Sequence, residues 1–295
     1  MKKILKHIVS PIWKNGINAV AKVSPFTATK ILHYKTTGEP LDLKYPVKFN
    51  HKLQWLKLYW RHPLVSICAD KYALYNYVKE NSDPNILNNL LAVYNDVDEI
   101  NWDSLPEKFA LKCTHGCGYN IITNNKSELN PDEVKHKLNT WLKEKFGKNL
   151  LEFHYDKIKP RIILEEYIEN DAGLLPIDYK IYCFNGQPKL VLVCSGRENS
   201  LKLDFFDLDW NRLNIGYKKD ESSNLIIKPS CFDDMVKYAK ELSAPFLFVR
   251  IDFYDKDGKA ILSELTFTPA ANMANYYNDY GQYYLGSLLK LPKKL

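Results

Sequence analysis

The sequence has no long apolar run, no internal repeat and no low-complexity segment. The first absence argues against a helix that crosses a bilayer, and the other two against solenoids and repeat arrays. No Gly-x-x-x-x-Gly-Lys-Ser/Thr loop and no dinucleotide fingerprint occur, so the two commonest phosphate-binding signatures are missing. Six cysteines are present, Cys68, Cys113, Cys117, Cys183, Cys194 and Cys231, with no secretory leader before them. A reducing cytosol without disulfides is therefore expected. Cys113, His115 and Cys117 lie close together, but no second ligand pair at finger spacing accompanies them, which argues against zinc. The net charge of +6 is mild, and the lysines are spread along the chain rather than gathered into a stripe, so nucleic acid is not an expected partner.

What is present is a chain of 295 residues with room for two or three lobes, rich in Tyr (20) and Phe (13). Residues 1–24 are basic, with Lys2, Lys3, Lys6, Lys14 and Lys22 set among Ile4, Leu5, Ile8, Ile12, Trp13 and Ile17. Such a segment can lie on an anionic membrane surface at the inner face, or form a helix docked on the body; the second reading is preferred. Residues 53–59 read as an apolar, aromatic helix. Asp70-Lys71-Tyr72 falls between two probable helices, the second over residues 73–79.

The centre of the chain is residues 246–269: a strand, an Asp257-Gly258 turn and a return strand. Alternation puts Arg250 and Asp252 on one face of the first strand, and Glu264 and Thr266 on one face of the second. Folding the hairpin can bring the two carboxylates together. Carboxylates on apolar strands are costly to bury without a cation, and hard oxygens beside an arginine suit magnesium holding phosphate. The competing reading is a surface hairpin with scattered charges.

Residues 109–123 read as a strand carrying Lys112, a loop with Gly116 and Gly118, and a second strand. Such a loop lets backbone N–H groups approach phosphate, with the lysine supplying charge; an ordinary hairpin is the alternative. His115 either touches phosphate or occupies the turn. Asn130, Pro131 and Glu133 start a helix whose apolar face is Val134, Leu138, Trp141, Leu142 and Phe146. Residues 161–168 form a buried-type strand ending in Glu165-Glu166, able to read an adenine edge or simply to end in solvated acids. Asp178 and Lys180 share a face on the next strand, Asn185-Gly186 turns it back, and Arg197 lies beyond. Asp207-x-Asp209 is either a metal pair of the kind nucleotide-sugar glycosyltransferases use, or turn chemistry. Residues 232–242 read as an amphipathic helix leading into the central hairpin.

In this order the segments FNHKLQWLKLY, ADKYALYNYV, FALKCTHGCGYNI, ILEEYI, LLPIDYKIYCFNGQPK, FVRIDFYD and ELTFTP resemble the ATP-grasp superfamily. Within it they resemble the TupA-like branch, associated with teichuronopeptide and surface-polysaccharide synthesis. The resemblance runs from about residue 45 to the C-terminus. It implies an α+β ATP-grasp fold: two α+β lobes sandwiching ATP, over residues 80–165 and 166–295, behind a helical extension at residues 1–79. By position it gives Lys71 and Lys112 to the ATP phosphates, with His115, Gly116 and Gly118 in the covering loop. Glu165, Glu166 and the Tyr167 backbone would form the adenine hinge, and Asp178 would hold the ribose. Asp252, Glu264 and Thr266 would hold Mg2+, with Lys180 facing the phosphates and Arg250 stabilising the transferred phosphoryl group. The implied activity is ATP-dependent carboxylate–amine ligation through an acyl phosphate, joining an amino acid or amine to a sugar carboxylate such as a uronic acid. No protein nucleophile is required for it, and none is conspicuous.

The chain departs from the pattern at Thr266, where most ATP-grasp enzymes have Asn, although the branch itself has Glu-Leu-Thr. It departs again at Tyr75 (usually Arg), at Cys117 (usually Ser) and at Ala270-Ala271-Asn272 (usually Gly-rich), the last on the acceptor side of the site. The rival readings are a metal-dependent glycosyltransferase using Asp207 and Asp209, and a non-catalytic ATP-binding protein of a glycan assembly complex.

Overall fold

The computed structural model describes residues 11–169, 176–196 and 200–293. The expectations for residues 1–10 and for Arg197 lie outside them. The chain opens with two helices, α1 (Pro11–Val23) and α2 (Pro25–Thr37), separated by Ser24. Ser24 caps α2 by accepting the Thr27 N–H at 3.2 Å, Pro25 takes the first helical position, and Gly38 ends it at φ +76°. Ile17 of α1 is buried in a cluster with Leu32, Leu151, Ala271 and Met273, so this helix docks on the body.

Three helices follow: α3 (Phe49–Tyr59), α4 (Pro63–Ala69) and α5 (Ala73–Asn81). The first begins four residues earlier than the sequence indicated. Then comes a four-stranded antiparallel sheet of β1 (Leu90–Tyr94), β2 (Phe109–Cys113), β3 (Asn120–Thr123) and β4 (Ile162–Glu166), ordered β1-β4-β2-β3. Helix α6 (Pro131–Lys143) is inserted before β4, and Asn130 caps it by accepting the N–H groups of Asp132 and Glu133. Its Val134 and Leu138 pack on Phe109, Leu111, Cys113, Ile162 and Leu164. That packing covers one face of the sheet. Alternation therefore leaves Ala110, Lys112, Ile163 and Glu165 on the other.

The second sheet is also antiparallel, ordered β7-β6-β5-β8-β9: β5 (Asp178–Phe184), β6 (Gln187–Ser195), β7 (Lys202–Asp207), β8 (Phe248–Lys256) and β9 (Lys259–Thr266). Helix α7 (Phe232–Ser243) precedes β8, and α8 (Asp279–Leu288) follows β9. Both tight turns have two consecutive positive φ values, 50° and 74° at Asn185-Gly186 and 54° and 74° at Asp257-Gly258. That is the turn whose twist matches a hairpin. One face of this sheet buries Tyr179, Ile181, Val249, Ile251 and Phe253 against α7. The other buries Tyr182, Phe184, Leu190, Leu192 and Phe248 against α3 and α8. The fold is α+β. Among the described residues no helix is long and apolar enough to cross a membrane.

Candidate active site

On β5 and β8 the α3-facing side changes character along its length. Phe184 is in register with Phe248, Tyr182 with Arg250, and Lys180 with Asp252. The aromatic end is covered by α3 and α8. On β9, Glu264 pairs with Asp252 and Thr266 with Arg250. A bulge between Asp252 and Phe253 leaves Ser263 unmatched in this ladder. It lets Leu262 and Leu265 both enter the core while Glu264 and Thr266 turn to the charged side. Bulges of this kind re-aim side chains beside functional sites.

Asp252 is 1% exposed. Its two oxygens accept from Arg250 Nε at 2.7 Å and Nη2 at 2.6 Å, and its Oδ2 also meets Lys180 Nζ at 2.5 Å. Burial alone would raise the Asp252 carboxyl, but Arg250 and then Lys180 outweigh it and hold the pKa below the ordinary range. Lys180 reaches Asp178 as well, at 2.5 Å. Burial works against its ammonium, yet Asp252 and Asp178 keep its pKa raised. Arg250 also donates to Thr266 Oγ1 at 3.2 Å and stands 3.7 Å from Glu264. The cluster thus holds three carboxylates against two cations.

Across the cleft, Lys112 Nζ meets Glu165 Oε2 at 2.5 Å, and Tyr75 donates to Glu165 Oε1 at 3.0 Å. Burial opposes the Lys112 charge; Glu165 outweighs it, and Tyr254 and Glu264 of the larger sheet add to the raised pKa. The two sheets therefore share one field. Lys71 Nζ is 2.5 Å from the Gly116 carbonyl, which fastens the lysine to the glycine loop. Gly118 sits at φ +76°. A Cβ on Gly116 would meet the Phe146 ring at 2.8 Å, so that glycine is required by packing. His115 is turned inward instead: it is 3% exposed, and its Nε2 lies 3.0 Å from the Trp141 carbonyl. Burial lowers its pKa. In this conformation the ring does not face the loop's open side.

At the end of β4, Glu166 N–H donates to the Asn89 carbonyl at 3.0 Å and its carbonyl accepts from Asn88 Nδ2 at 2.8 Å. Its carboxylate is 3.3 Å from Lys256 of the other sheet. Tyr167 follows directly. A cleft lies here, lined by Asn88, Ala110, Lys112, Glu166, Ile168 and Tyr254. Ala110, Ile122, Ile168 and Pro176 give it apolar walls and Lys112 a positive charge, a lining compatible with a flat base beside phosphate. The sequence marks Tyr75 only as a departure from the family's usual Arg, and it does not single out Asn88 or Tyr254. Tyr254 had a signal, because it alternates with Asp252 and Arg250 on β8; Asn88 and Tyr75 reach the site only through the chain's path.

The structure brings Lys71, Lys112, Gly116, Glu165 and Glu166 to the smaller sheet's side. It brings Asp178, Lys180, Arg250, Asp252, Glu264 and Thr266 to the larger sheet's side. Asp207 is elsewhere: it accepts from Asn211 N and Nδ2 at 2.7 and 2.9 Å, and so closes its own turn. Asp252, Glu264 and Thr266 offer two carboxylates and a hydroxyl, all hard oxygen, in a cluster with excess negative charge. That donor set fits Mg2+.

The family described as TupA-like ATPgrasp matches residues 51–290. No curated protein matches at a significant level. Among solved structures, the chain is similar to D-alanine–D-alanine ligase from Bacillus anthracis: 14% identity, TM-score 0.47, covering 76% of this chain and 64% of that one. It is similar to the D-alanine–D-alanine ligase of Helicobacter pylori at 13% identity and TM-score 0.46, covering 83% and 70%. A third is the L-amino acid ligase of Bacillus licheniformis, at 10% identity and TM-score 0.47, covering 85% of this chain and 57% of that one. The chain thus spans less than two thirds of the first and third of these. The family match covers most of the chain, and the chain belongs to the TupA-like ATP-grasp family.

Proposed function

We propose that the chain is an ATP-dependent carboxylate–amine ligase that forms an amide through an acyl phosphate. Its acid would be a sugar carboxylate such as a uronic acid, and its amine an amino acid or other amine, in the building of a bacterial surface polysaccharide. The observation that carries the reading is the charged end of the β8–β9 hairpin facing Lys112 and the glycine loop across a cleft. The lobes would run over residues 80–165 and 166–295, with residues 1–79 as a family-specific extension.

In such a reaction the γ-phosphoryl group of ATP passes to a carboxylate oxygen and ADP leaves. The amine then attacks the acyl carbon and inorganic phosphate leaves. Both steps depend on placing charge rather than on a protein nucleophile. Asp252, Glu264 and Thr266 would hold Mg2+, which supplies charge neutralisation to the phosphates. Lys71, Lys112 and Lys180 would offset the rest. Arg250, already oriented by both Asp252 oxygens, would stabilise the charge that develops on the transferred group. Glu166 and Tyr167 would flank the base, and Asp178 the ribose. Lys180 has a second task while ATP is away: it keeps Asp252 ionised.

The test is ADP release from purified protein with ATP and Mg2+, screened against uronic acids paired with amino acids. ADP formation that needs both an acid and an amine supports the ligase. Turnover of a nucleotide sugar with no ADP under any pairing sinks it.

A further inference from the structure

A second cavity, of about 210 Å3, opens at the Phe248 end of β8, beyond Arg250 and Thr266. Phe248 lines it two residues before Arg250, and Thr268 lines it two residues after Thr266. Its remaining walls come from the end of α3, the start of α4, residues 153–157, Phe267 and Asn272. Three cations, Lys57, Arg61 and Lys157, lie on these walls and no carboxylate does.

Lys57 is 9% exposed, and its Nζ has no hydrogen-bond partner among the described residues. A buried ammonium in that state is costly. The carboxylate that faces it is Glu152, which burial raises to about 7 and whose Oε1 accepts from the Thr268 hydroxyl at 2.5 Å; the two share a buried environment without a hydrogen bond from Lys57 Nζ. Three further polar atoms on the same walls are buried and unpartnered: His62 Nδ1, His154 Nε2 and Asn272 Oδ1. Burial pushes the His154 imidazole down to about 3, so it is neutral and free to donate or accept. Asn272 is 1% exposed and fixed through its Nδ2, which donates to the Leu53 carbonyl at 3.0 Å. It ends a run of three non-glycine residues in the left-handed region, Ala270, Ala271 and Asn272, at φ 49°, 54° and 63°. Strain of this kind persists where the surroundings over-determine the backbone, and it concentrates at ligand clamps.

We propose that this cavity is a binding site for an oxyanion group of the substrate, with Lys57 as its buried counter-ion, Arg61 and Lys157 as its cationic rim, and Trp60 and Phe153 as apolar walls for the attached skeleton. An incoming oxyanion supplies the partner that Lys57 lacks and acceptors for the imidazole nitrogens. Phe248 and Thr268 continue the strand faces that carry Arg250 and Thr266, so the cavity lies on the Arg250 side of the charged cluster, with Asp252 and Glu264 about four residues, or about 13 Å, further along the strands. Identifying the oxyanion as the acid to be activated rests on the ligase reading. The existence of the anion site does not.

Calorimetric titration of D-glucuronate, D-galacturonate and inorganic phosphate, each with and without MgADP, tests the site on the wild-type chain and on Lys57→Met and Arg61→Gln. The expected result is uronate binding that weakens at least ten-fold in Lys57→Met and about three-fold in Arg61→Gln, while MgADP binds all three proteins equally. Phosphate binding with the same Lys57 dependence, and no uronate binding, supports the oxyanion site and points to a phosphorylated substrate. Anion binding that is indifferent to both substitutions, or no anion binding to a wild-type chain that binds MgADP, overturns the proposal. If Lys57→Met does not fold, the surface variant Arg61→Gln decides by the same criterion. Lys57-dependent anion binding by a chain that does not bind MgADP would leave the cavity standing and remove the ligase reading.

Discussion

Lys180 and Asp252 are register partners on adjacent strands, and their side chains meet at 2.5 Å while Arg250 grips both oxygens of the same carboxylate. Two cations on one buried acid tie the residues proposed to face phosphate to the candidate metal ligand. Whatever moves Asp252 moves all three.

Asp252→Asn is therefore expected to act twice. ADP release should fall at least 100-fold, and the fold should lose about 3–5 kcal/mol, because Lys180 and Arg250 lose their shared buried partner. Steady-state ADP assays and urea unfolding measure the two effects separately. Glu264→Gln, at the more exposed position, should leave stability nearly unchanged and raise the Mg2+ requirement at least ten-fold. Full turnover in both variants would refute the metal assignment.

Lys112→Met should raise the KM for ATP at least ten-fold with a smaller effect on the acid and amine. Lys112 lines the candidate nucleotide cleft and not the second cavity. An unchanged KM for ATP would remove Lys112 from the phosphate set.

Burial pushes the Lys57 ammonium down to about 8 in the folded chain, from about 10.4 when unfolded. Between these values the unfolded chain binds more protons, so stability rises with pH across that window. Lys57→Met should lack this rise, leaving only the opposite trend of its buried neighbour Glu152, whose carboxyl burial raises to about 7. Urea midpoints of the two proteins from pH 7 to 10 give the comparison; parallel curves would show that Lys57 is not buried as a charge.

Ala270 is exposed and sits at φ 49°. Ala270→Gly relieves left-handed strain while loosening the unfolded chain, for a net gain of up to about 1 kcal/mol. Calorimetry should show a Tm higher by about 1–3 °C. A lower Tm would mean that the neighbouring residues do not hold Ala270 in the left-handed region.

Much of this protein can be read along the chain. The Asp257-Gly258 and Asn185-Gly186 turns are dictated locally, since consecutive positive φ values favour these residues, and period-two alternation then assigns Arg250, Asp252, Glu264 and Thr266 to their faces. Asn130 and Pro131 likewise mark the start of α6 by cap chemistry alone. Strand β1 was not anticipated: Leu91 is exposed and its other residues are only half-buried, and it is a strand because β4 pairs with it.

His115 shows the opposite case, because a residue in a glycine loop can face either side, and only the packing of Trp141 behind it turns the ring inward. The bulge at Ser263 is likewise invisible in composition. Lys57 is the clearest example. In sequence it is one lysine in an apolar helix, indistinguishable from a solvated one. Its burial depends on strand ends, a helix and a strained loop more than two hundred residues away converging on one point. Short-range preferences select turns, caps and faces, but the surroundings of a charge are made by long-range packing, and that packing sets both its cost and its use.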